Sequence, residues 1–408
     1  DTTYGVVMIV DFSDQQAKFT KEQVNDWLNK KGYSSTYANG SVYDYFYQIS
    51  NGKFNLLNDV FGYYRAKKPK SYYENSSGYD KAYELVNEMV TYFDPSVDFS
   101  KYDNDKNGTT ESISFVYAGA GQTWGQGLWP HSGRVNKKLD GVNLGSYNMS
   151  DMGSGLGLYV FCHETGHMVF GWPDLYWFGD YCIMGNRMSD NNPVPVNDFF
   201  RADQGWIPTK EIAATDNLFC TTVSNQMAYY YRNPSNKKQM FFWSVVKNTG
   251  RYSSLKGKGI LLYKFDNGIS GNTSGTSRQL FVVEADGNNA MAADQWPSPG
   301  SVSSDFFFKG NNAEFSSSTK PASLWGLKIY NINAASDTMT FYTGTGTVPV
   351  QFRSASMLMN LHSISSPMYR YNLAGRCEGV LQSGTASRSS GMYIMSLPAG
   401  VRKVIESR

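Results

Sequence analysis

Apolar and polar residues along the first third of the chain follow periods that predict alternating strands and helices. The β-branched run GVVMIVDF at 5–12 predicts a buried strand that ends in a polar turn. Residues 19–29 (FTKEQVNDWLN) have helical spacing behind a candidate N-cap, Thr20. The segment SVYDYFYQISNGKFNL at 41–56 predicts an aromatic helix that runs into a strand, and ISFVYAG at 113–119 predicts another strand.

The pattern of residues 153–173 predicts one buried helix with a defined end. GSGLGLYVFC at 153–162 begins with glycines and continues as an apolar run, and Met168, Val169 and Phe170 extend that run. Gly171 is a typical C-terminal stop, and Pro173 prevents the helix from resuming.

From about residue 215 the pattern changes to short strands separated by turns. The predicted strands are FFWSVVKN (241–248), GILLYKFDN (259–267), QLFVVEADG (279–287), WGLKIYNI (325–332) and TMTFYTG (338–344). Short strands at this spacing indicate a β-sandwich-type domain. We therefore predict a catalytic domain at 1–213, a β-sandwich accessory domain at 214–345 and, after a linker at 343–350, a small C-terminal β domain at 346–408.

The buried helix carries HETGH at 163–167, which predicts a zinc site together with its general base. His163 and His167 are four residues apart, so both imidazoles lie on one face and can reach one metal ion. Glu164 can take a proton from a water molecule that this metal activates. Asp174, just past the turn, is the candidate third ligand, and a three-ligand set leaves the fourth position open, as a catalytic site requires.

HETGHMVFGWPDLY followed by DYCIMG resembles the immune-inhibitor-A-type secreted bacterial zinc metallopeptidases, whose usual motif is HExxHxxGxPD. This resemblance implies a metzincin-like α+β catalytic domain, a Met-turn formed by Met184, and hydrolysis of peptide bonds. The chain departs from the motif in one respect, because His167 and Gly171 are four residues apart instead of three. Asp174 is therefore displaced by one residue, and Asp180 or a distant residue is the alternative third ligand.

Residues 103–111 (DNDKNGTTE) resemble the first half of a calcium-binding loop. Asp103, Asp105 and Asn107 alternate before Gly108, so their oxygen atoms can converge on one hard cation. Glu111 stands where loops of the resembled family carry an acid. A surface turn without a metal ion is the alternative interpretation.

Composition excludes some functions and favours others. The 37 basic and 35 acidic residues give a net charge of +2 without basic runs, so we expect no nucleic-acid partner. No apolar stretch approaches about 20 residues, so we expect no membrane span. Charged residues make up 18% and aromatic residues 15% of the chain, which is typical of extracellular proteins. We expect a secreted or cell-surface monomer that has lost a leader segment.

The four cysteines, Cys162, Cys182, Cys220 and Cys377, allow three pairings or none. Cys162 and Cys182 could form a disulfide, or both could be buried free thiols. Tyr147, Tyr176 and Tyr181 are candidate hydrogen-bond donors to the oxyanion, and the sequence does not distinguish them.

The last 38 residues, with YNLAGR at 371–376 and GMYIMSLPAGVRKVIE at 391–406, resemble the C-terminal β domains of Bacteroidetes secreted proteins. The sequence as a whole predicts a secreted zinc-dependent endopeptidase acting on proteins or peptides, with Zn²⁺ at the catalytic site and Ca²⁺ in a structural role. The alternative is a catalytically weak surface protein that binds a host glycoprotein or peptide through its β domains.

Overall fold

The computed structural model describes residues 1–186, 189–213, 216, 218–269, 278–292 and 297–344, and four strands between residues 368 and 407. The chain forms two compact units, Asp1–Thr347 and Val348–Arg408, and the described part mixes helices with several sheets. The first unit holds both the predicted catalytic and the predicted accessory domain, so the boundary between them stays a prediction. The zincin-like class of the first and the sandwich class of the second also stay predictions.

Six α-helices lie in the described part of the first unit. They are α1 (Lys21–Asn29), α2 (Val42–Ile49), α3 (Lys70–Glu74), α4 (Asp80–Phe93), α5 (Tyr159–Phe170) and α6 (Asp198–Asp203). The predicted N-cap of α1 is confirmed, because the Thr20 side chain accepts a hydrogen bond from the backbone N–H of Gln23.

The first sheet has the strand order β2-β1-β3-β7-β4. Neighbouring strands are parallel except for the last pair, in which the edge strand β4 runs antiparallel to β7. A separate hairpin, β5-β6, precedes β7. The strand bounds are β1 (Thr2–Asp11), β2 (Asn55–Arg65), β3 (Ile113–Tyr117), β4 (His131–Arg134), β5 (Lys138–Leu139), β6 (Val142–Asn143) and β7 (Ser146–Asp151).

Strand β1 is buried on both faces because its side chains alternate between two cores. Val7 and Ile9 pack into the core that contains apolar residues of α1, α2 and α5. Val6 and Met8 pack into a second core that contains apolar residues of α4. The sheet therefore has helices on both faces, and α5 lies on one of them.

In the first unit, the described strands after residue 208 form two further sheets, ordered β13-β12-β11-β10-β8 and β14-β15-β9. Phe242 of β11 packs into the core that contains α5, whereas its neighbour Trp243 packs against residues of β9 and β15. The larger sheet therefore lies between α5 and the smaller sheet. The bounds are β8 (Thr209–Glu211), β9 (Phe219–Val223), β10 (Ala228–Arg232), β11 (Gln239–Val246), β12 (Gly259–Asp266), β13 (Leu280–Val283), β14 (Ile329–Tyr330) and β15 (Thr338–Thr343).

One predicted strand is much shorter than expected. The segment 325–332 contributes only the two residues of β14, because Trp325 and Gly326 both have positive φ angles, 62° and 82°, and form a turn. Of the two alternatives for Cys162 and Cys182, the structure shows the free thiols. Both are buried free thiols, as is Cys220.

The second unit contains an antiparallel sheet of order β17-β16-β18-β19. Its strands are β16 (Met368–Tyr371), β17 (Cys377–Leu381), β18 (Gly391–Met395) and β19 (Lys403–Ser407). The predicted linker from residue 345 onward and residues 372–376 of the C-terminal motif lie outside the described residues. Among the described helices, none has the length and apolar character needed to cross a bilayer.

Candidate metal centre

Helix α5 holds the HETGH segment inside the protein and ends where the sequence predicts. Phe161 and Cys162 belong to the large core, and His163 is only 5% exposed. The helix ends at Phe170, and Gly171 adopts the left-handed conformation with φ 65°. An L side chain would be strained there, so glycine allows the chain to turn back toward the helix.

Backbone carbonyls fix the orientation of both histidine rings. Nδ1 of His163 lies 2.9 Å from the Ile183 carbonyl oxygen, and Nδ1 of His167 lies 2.5 Å from that of Trp172. A carbonyl oxygen only accepts, so each Nδ1 carries a proton, and in the neutral form of each ring Nε2 keeps its lone pair. The two Nε2 atoms are 3.2 Å apart and are both presented to the same point.

Asp174 completes a triangle of three donor atoms. Its Oδ1 lies 3.2 Å from Nε2 of His163 and 3.3 Å from Nε2 of His167. Asp180, the alternative ligand, lies elsewhere, because its carboxylate accepts hydrogen bonds from the backbone N–H and the hydroxyl of Ser301 at 2.6 and 2.9 Å. The turn after α5 therefore brings Asp174 to the histidines despite the extra residue before Gly171.

The triangle fits a zinc ion. Zinc in tetrahedral coordination, with ligands at about 2.0–2.1 Å, holds its ligand atoms about 3.3 Å apart, close to the three distances here. Oδ1 of Asp174 is buried yet accepts no hydrogen bond from the protein. A buried carboxylate oxygen without a donor is costly, and a cation between the three atoms would satisfy it.

Charge within the triangle keeps Asp174 ionised. Burial alone would raise the pKa of Asp174, but its interactions with His163 and His167 outweigh burial and hold the pKa well below the usual range. Burial and the nearby Asp174 carboxylate in turn raise the pKa of Tyr176 well above its usual range. The carboxylate is thus available as an anionic ligand over the whole physiological pH range.

Glu164 lies beside the triangle without being part of it. The residue is 9% exposed, and the backbone N–H of Ser132 in the edge strand β4 lies near its carboxylate. Burial raises the pKa of Glu164, while the two histidines oppose that rise. A carboxylate in this setting is a stronger base than one in water.

Met184 packs directly against helix α5. It is fully buried, and a Cβ atom added to Gly166 would lie 3.1 Å from its sulfur and 2.8 Å from the Trp172 ring. Gly166 therefore permits this close packing immediately before His167. Met184 therefore lies against α5 next to His167, and its role as a Met-turn stays a prediction.

An open cleft of about 190 Å³ leads to the triangle. Sequence reasoning missed most of its walls, which are formed by Gln122, Trp124, Trp129, Pro130 and Tyr159 in addition to His163, Glu164 and Tyr176. These residues come from the loop before β4, from the start of α5 and from the turn after it. No periodic pattern connects segments so distant in sequence.

The structure also separates the three candidate tyrosines. The Tyr147 hydroxyl lies 2.9 Å from Nε2 of the buried His131, and the Tyr181 hydroxyl donates to Asp305 at 2.5 Å. Both tyrosines are almost completely buried away from the cleft. Tyr176 is the candidate that lines the cleft.

No protein-family model matches this chain, and no curated protein matches it. A functional assignment therefore depends on the side chains described above.

The loop at 103–111 brings three of its four predicted ligands together. Ligand oxygens of Asp103, Asp105 and Glu111 all lie within 4.8 Å of one another. Oδ1 of Asp103 and Oε1 of Glu111 are buried and accept no hydrogen bond. Asn107 is turned differently: its amide nitrogen donates to Asp105 at 2.8 Å, and its oxygen accepts from the Thr109 backbone N–H at 2.9 Å.

Proposed function

We propose that this protein is a secreted zinc-dependent endopeptidase. The observation that carries the proposal is the triangle of His163, His167 and Asp174 donor atoms, with the unligated Glu164 beside it at the end of an open cleft. Two imidazoles and one carboxylate are a typical catalytic zinc set, and the cleft leaves access for a substrate. A structural zinc site would have four protein ligands.

The chain's own residues supply the remaining chemistry. Zinc bound in the triangle would contribute Lewis acidity toward a carbonyl oxygen and would acidify a water molecule. Glu164 accepts the proton of the attacking water and returns it to the leaving amine. The backbone carbonyls behind His163 and His167 hold a proton on Nδ1 and orient both rings, so Nε2 of each neutral imidazole is the atom that would bind the metal.

The edge strand β4 supports a peptide as the substrate. Among the described strands, β4 pairs only with β7, so its other edge is available to an extended chain. Glu164 lies near this strand at Ser132. A peptide added along β4 would therefore pass beside the general base.

The alternative, a catalytically weak binding protein, drew its support from the shifted position of Asp174. Because Asp174 lies within 3.3 Å of both histidines, that support is gone. No other observation on the described residues favours it.

Removal of the metal should abolish hydrolysis. A zinc chelator is expected to reduce cleavage of a denatured protein to background, and stoichiometric zinc should restore it. The reason is that the metal ion, which the three donor atoms hold, activates the attacking water. The measurement is the release of new amino termini over time. Cleavage that continues at the same rate in the chelated protein would contradict a zinc enzyme.

We also propose that Asp103, Asp105 and Glu111 hold a calcium ion. The two buried carboxylate oxygens without donors support this, since an oxygen-rich loop is the environment that calcium prefers. The loop connects residues 99–102 to β3, so the ion would fix the start of a central strand.

Calcium should stabilise the wild type but not Asp103→Asn. If the dissociation constant is about 10⁻⁴ M, as in extracellular modules, 10 mM calcium should add about 2.7 kcal/mol to the free energy of unfolding. The measurement is urea denaturation of the zinc-loaded protein with and without calcium. Asp80→Asn, at the exposed start of α4, is the matched control and should respond like the wild type. An equal response in all three proteins would remove calcium from this loop.

A further inference from the structure

Trp124 occupies an unusual position at the rim of the cleft. It lies in the loop between β3 and β4, and its side chain is 80% exposed, more than any other large apolar side chain of the described residues. It also lines the cleft that contains His163 and Glu164. An indole ring so exposed next to a proposed catalytic centre is in a position to be covered by a ligand.

The loop that carries Trp124 is held in place by hydrogen bonds. Gln122 N–H donates to the Leu128 carbonyl at 2.7 Å and closes the neck of the loop. Further along, Gly125 and Gly127 are bonded to the segment 76–78 at 2.9 and 2.8 Å. The base is fixed as well, because the Lys70 ammonium donates to the Ala120 carbonyl at 2.6 Å.

Close backbone packing restricts the loop further. A Cβ atom at Gly127, which has φ 49°, would lie 2.3 Å from the Glu74 carbonyl oxygen. A Cβ atom at Gly121 would lie 2.7 Å from Pro130. The loop therefore touches the body of the protein on two sides, and the exposure of Trp124 is a property of a well-packed loop.

The cleft around Trp124 is mainly apolar and aromatic apart from His163 and Glu164. Trp129, Pro130, Tyr159 and Val160 form most of its other walls, and Gln122 and Tyr176 complete them. Glu164 is the one acidic side chain of the lining, in which no lysine or arginine takes part. Such walls favour an apolar group over a charged one, since a charge would lose water without gaining a partner.

We propose that Trp124 forms one wall of a specificity site for a large apolar, preferably aromatic, side chain of the peptide substrate. This side chain belongs to a residue that flanks the scissile bond, because the site shares one cleft with His163 and Glu164. Ring contacts of offset or edge-to-face type would favour phenylalanine over alanine at that position. The inference rests on the proposed peptidase function.

Cleavage of two matched peptide series tests this role. The series differ only in carrying Phe or Ala at each position that flanks the scissile bond. Trp124→Ala is expected to lower kcat/KM for the preferred Phe peptide by about 10- to 100-fold and to change the Ala peptide by less than about threefold. Trp124→Phe should recover most of the loss. Tyr92→Ala, which removes another exposed aromatic ring on α4, is the control and should change neither.

Binding to an inactive protein separates this inference from the proposed function. In the Glu164→Gln background, calorimetry should show tighter binding of the Phe peptide than of the Ala peptide, and Trp124→Ala should abolish the difference. Equal loss for both peptides, or no change with Trp124→Ala, would overturn the specificity role. Selective binding without any cleavage by the wild type would instead overturn the peptidase function and leave the Trp124 site standing.

Discussion

Glu164→Gln is expected to lower kcat for peptide hydrolysis by about 10²- to 10⁴-fold, the usual contribution of a general base. Glutamine keeps the shape of the side chain, but its amide cannot take a proton from water. The zinc content should remain unchanged, because Glu164 does not belong to the triangle of donor atoms.

The informative quantity is the kcat per bound zinc ion, compared between each variant and the wild type. Glu22→Gln replaces an exposed glutamate in the first turn of α1 and should behave like the wild type. Glu164→Gln should bind one zinc per chain and turn over at a small fraction of the wild-type rate. Full activity in Glu164→Gln would mean that another group accepts the proton.

Asp174→Asn is expected to weaken zinc binding strongly. Loss of a residue that only hydrogen-bonds to a zinc ligand lowers zinc affinity by about 10- to 100-fold, and loss of the ligand itself should lower it further. The substitution removes the one anionic donor of the triangle and leaves two neutral imidazoles. Two ligands do not make a stable zinc site, so most chains should lose the metal on dialysis, and hydrolysis should fall in proportion.

Asp180→Asn is the matched control for Asp174→Asn. Asp180 follows six residues later and was the alternative ligand from the sequence, but its carboxylate is bonded to Ser301. Asparagine at 180 keeps an acceptor for that contact, so this variant should retain one zinc per chain by elemental analysis. Zinc lost from Asp180→Asn and kept by Asp174→Asn would reverse the assignment of the third ligand.

The local parts of the metal centre could be predicted from the sequence. The spacing of His163 and His167 and the stop at Gly171 depend only on helical periodicity and on the properties of glycine. Asp174 was harder, because its position depends on how far the chain reverses after the helix. Because of the one extra residue in that turn, the sequence leaves the third ligand ambiguous. The structure places Oδ1 of Asp174 beside both imidazoles.

Contacts between segments that are distant in the chain could not be predicted from the sequence. The proximity of Glu164 to Ser132 depends on the order of β3, β7 and β4 in the sheet, and strand order is not encoded in local periodicity. Long-range packing also decides that Tyr176, and not Tyr147 or Tyr181, lines the cleft, so the sequence could not distinguish the three tyrosines. Trp124 gave no signal either, since an exposed tryptophan and a core tryptophan look identical in a sequence.

The loop at 103–111 lies between these cases. Alternation predicted that Asp103 and Asp105 lie together, the family resemblance added Glu111, and the structure brings ligand oxygens of all three within 4.8 Å of one another. It did not predict that the Asn107 side chain would bond within the loop, because an asparagine can satisfy neighbouring backbone groups as well as a cation.

Anomalous diffraction at the zinc edge, from crystals of the zinc-loaded protein, would locate the metal ion directly. We predict a strong peak about 2.0–2.1 Å from Nε2 of His163 and of His167 and about 2.0–2.2 Å from the Asp174 carboxylate. No peak within reach of these three atoms, or a peak held by other residues, would contradict the assignment of this site as the metal centre.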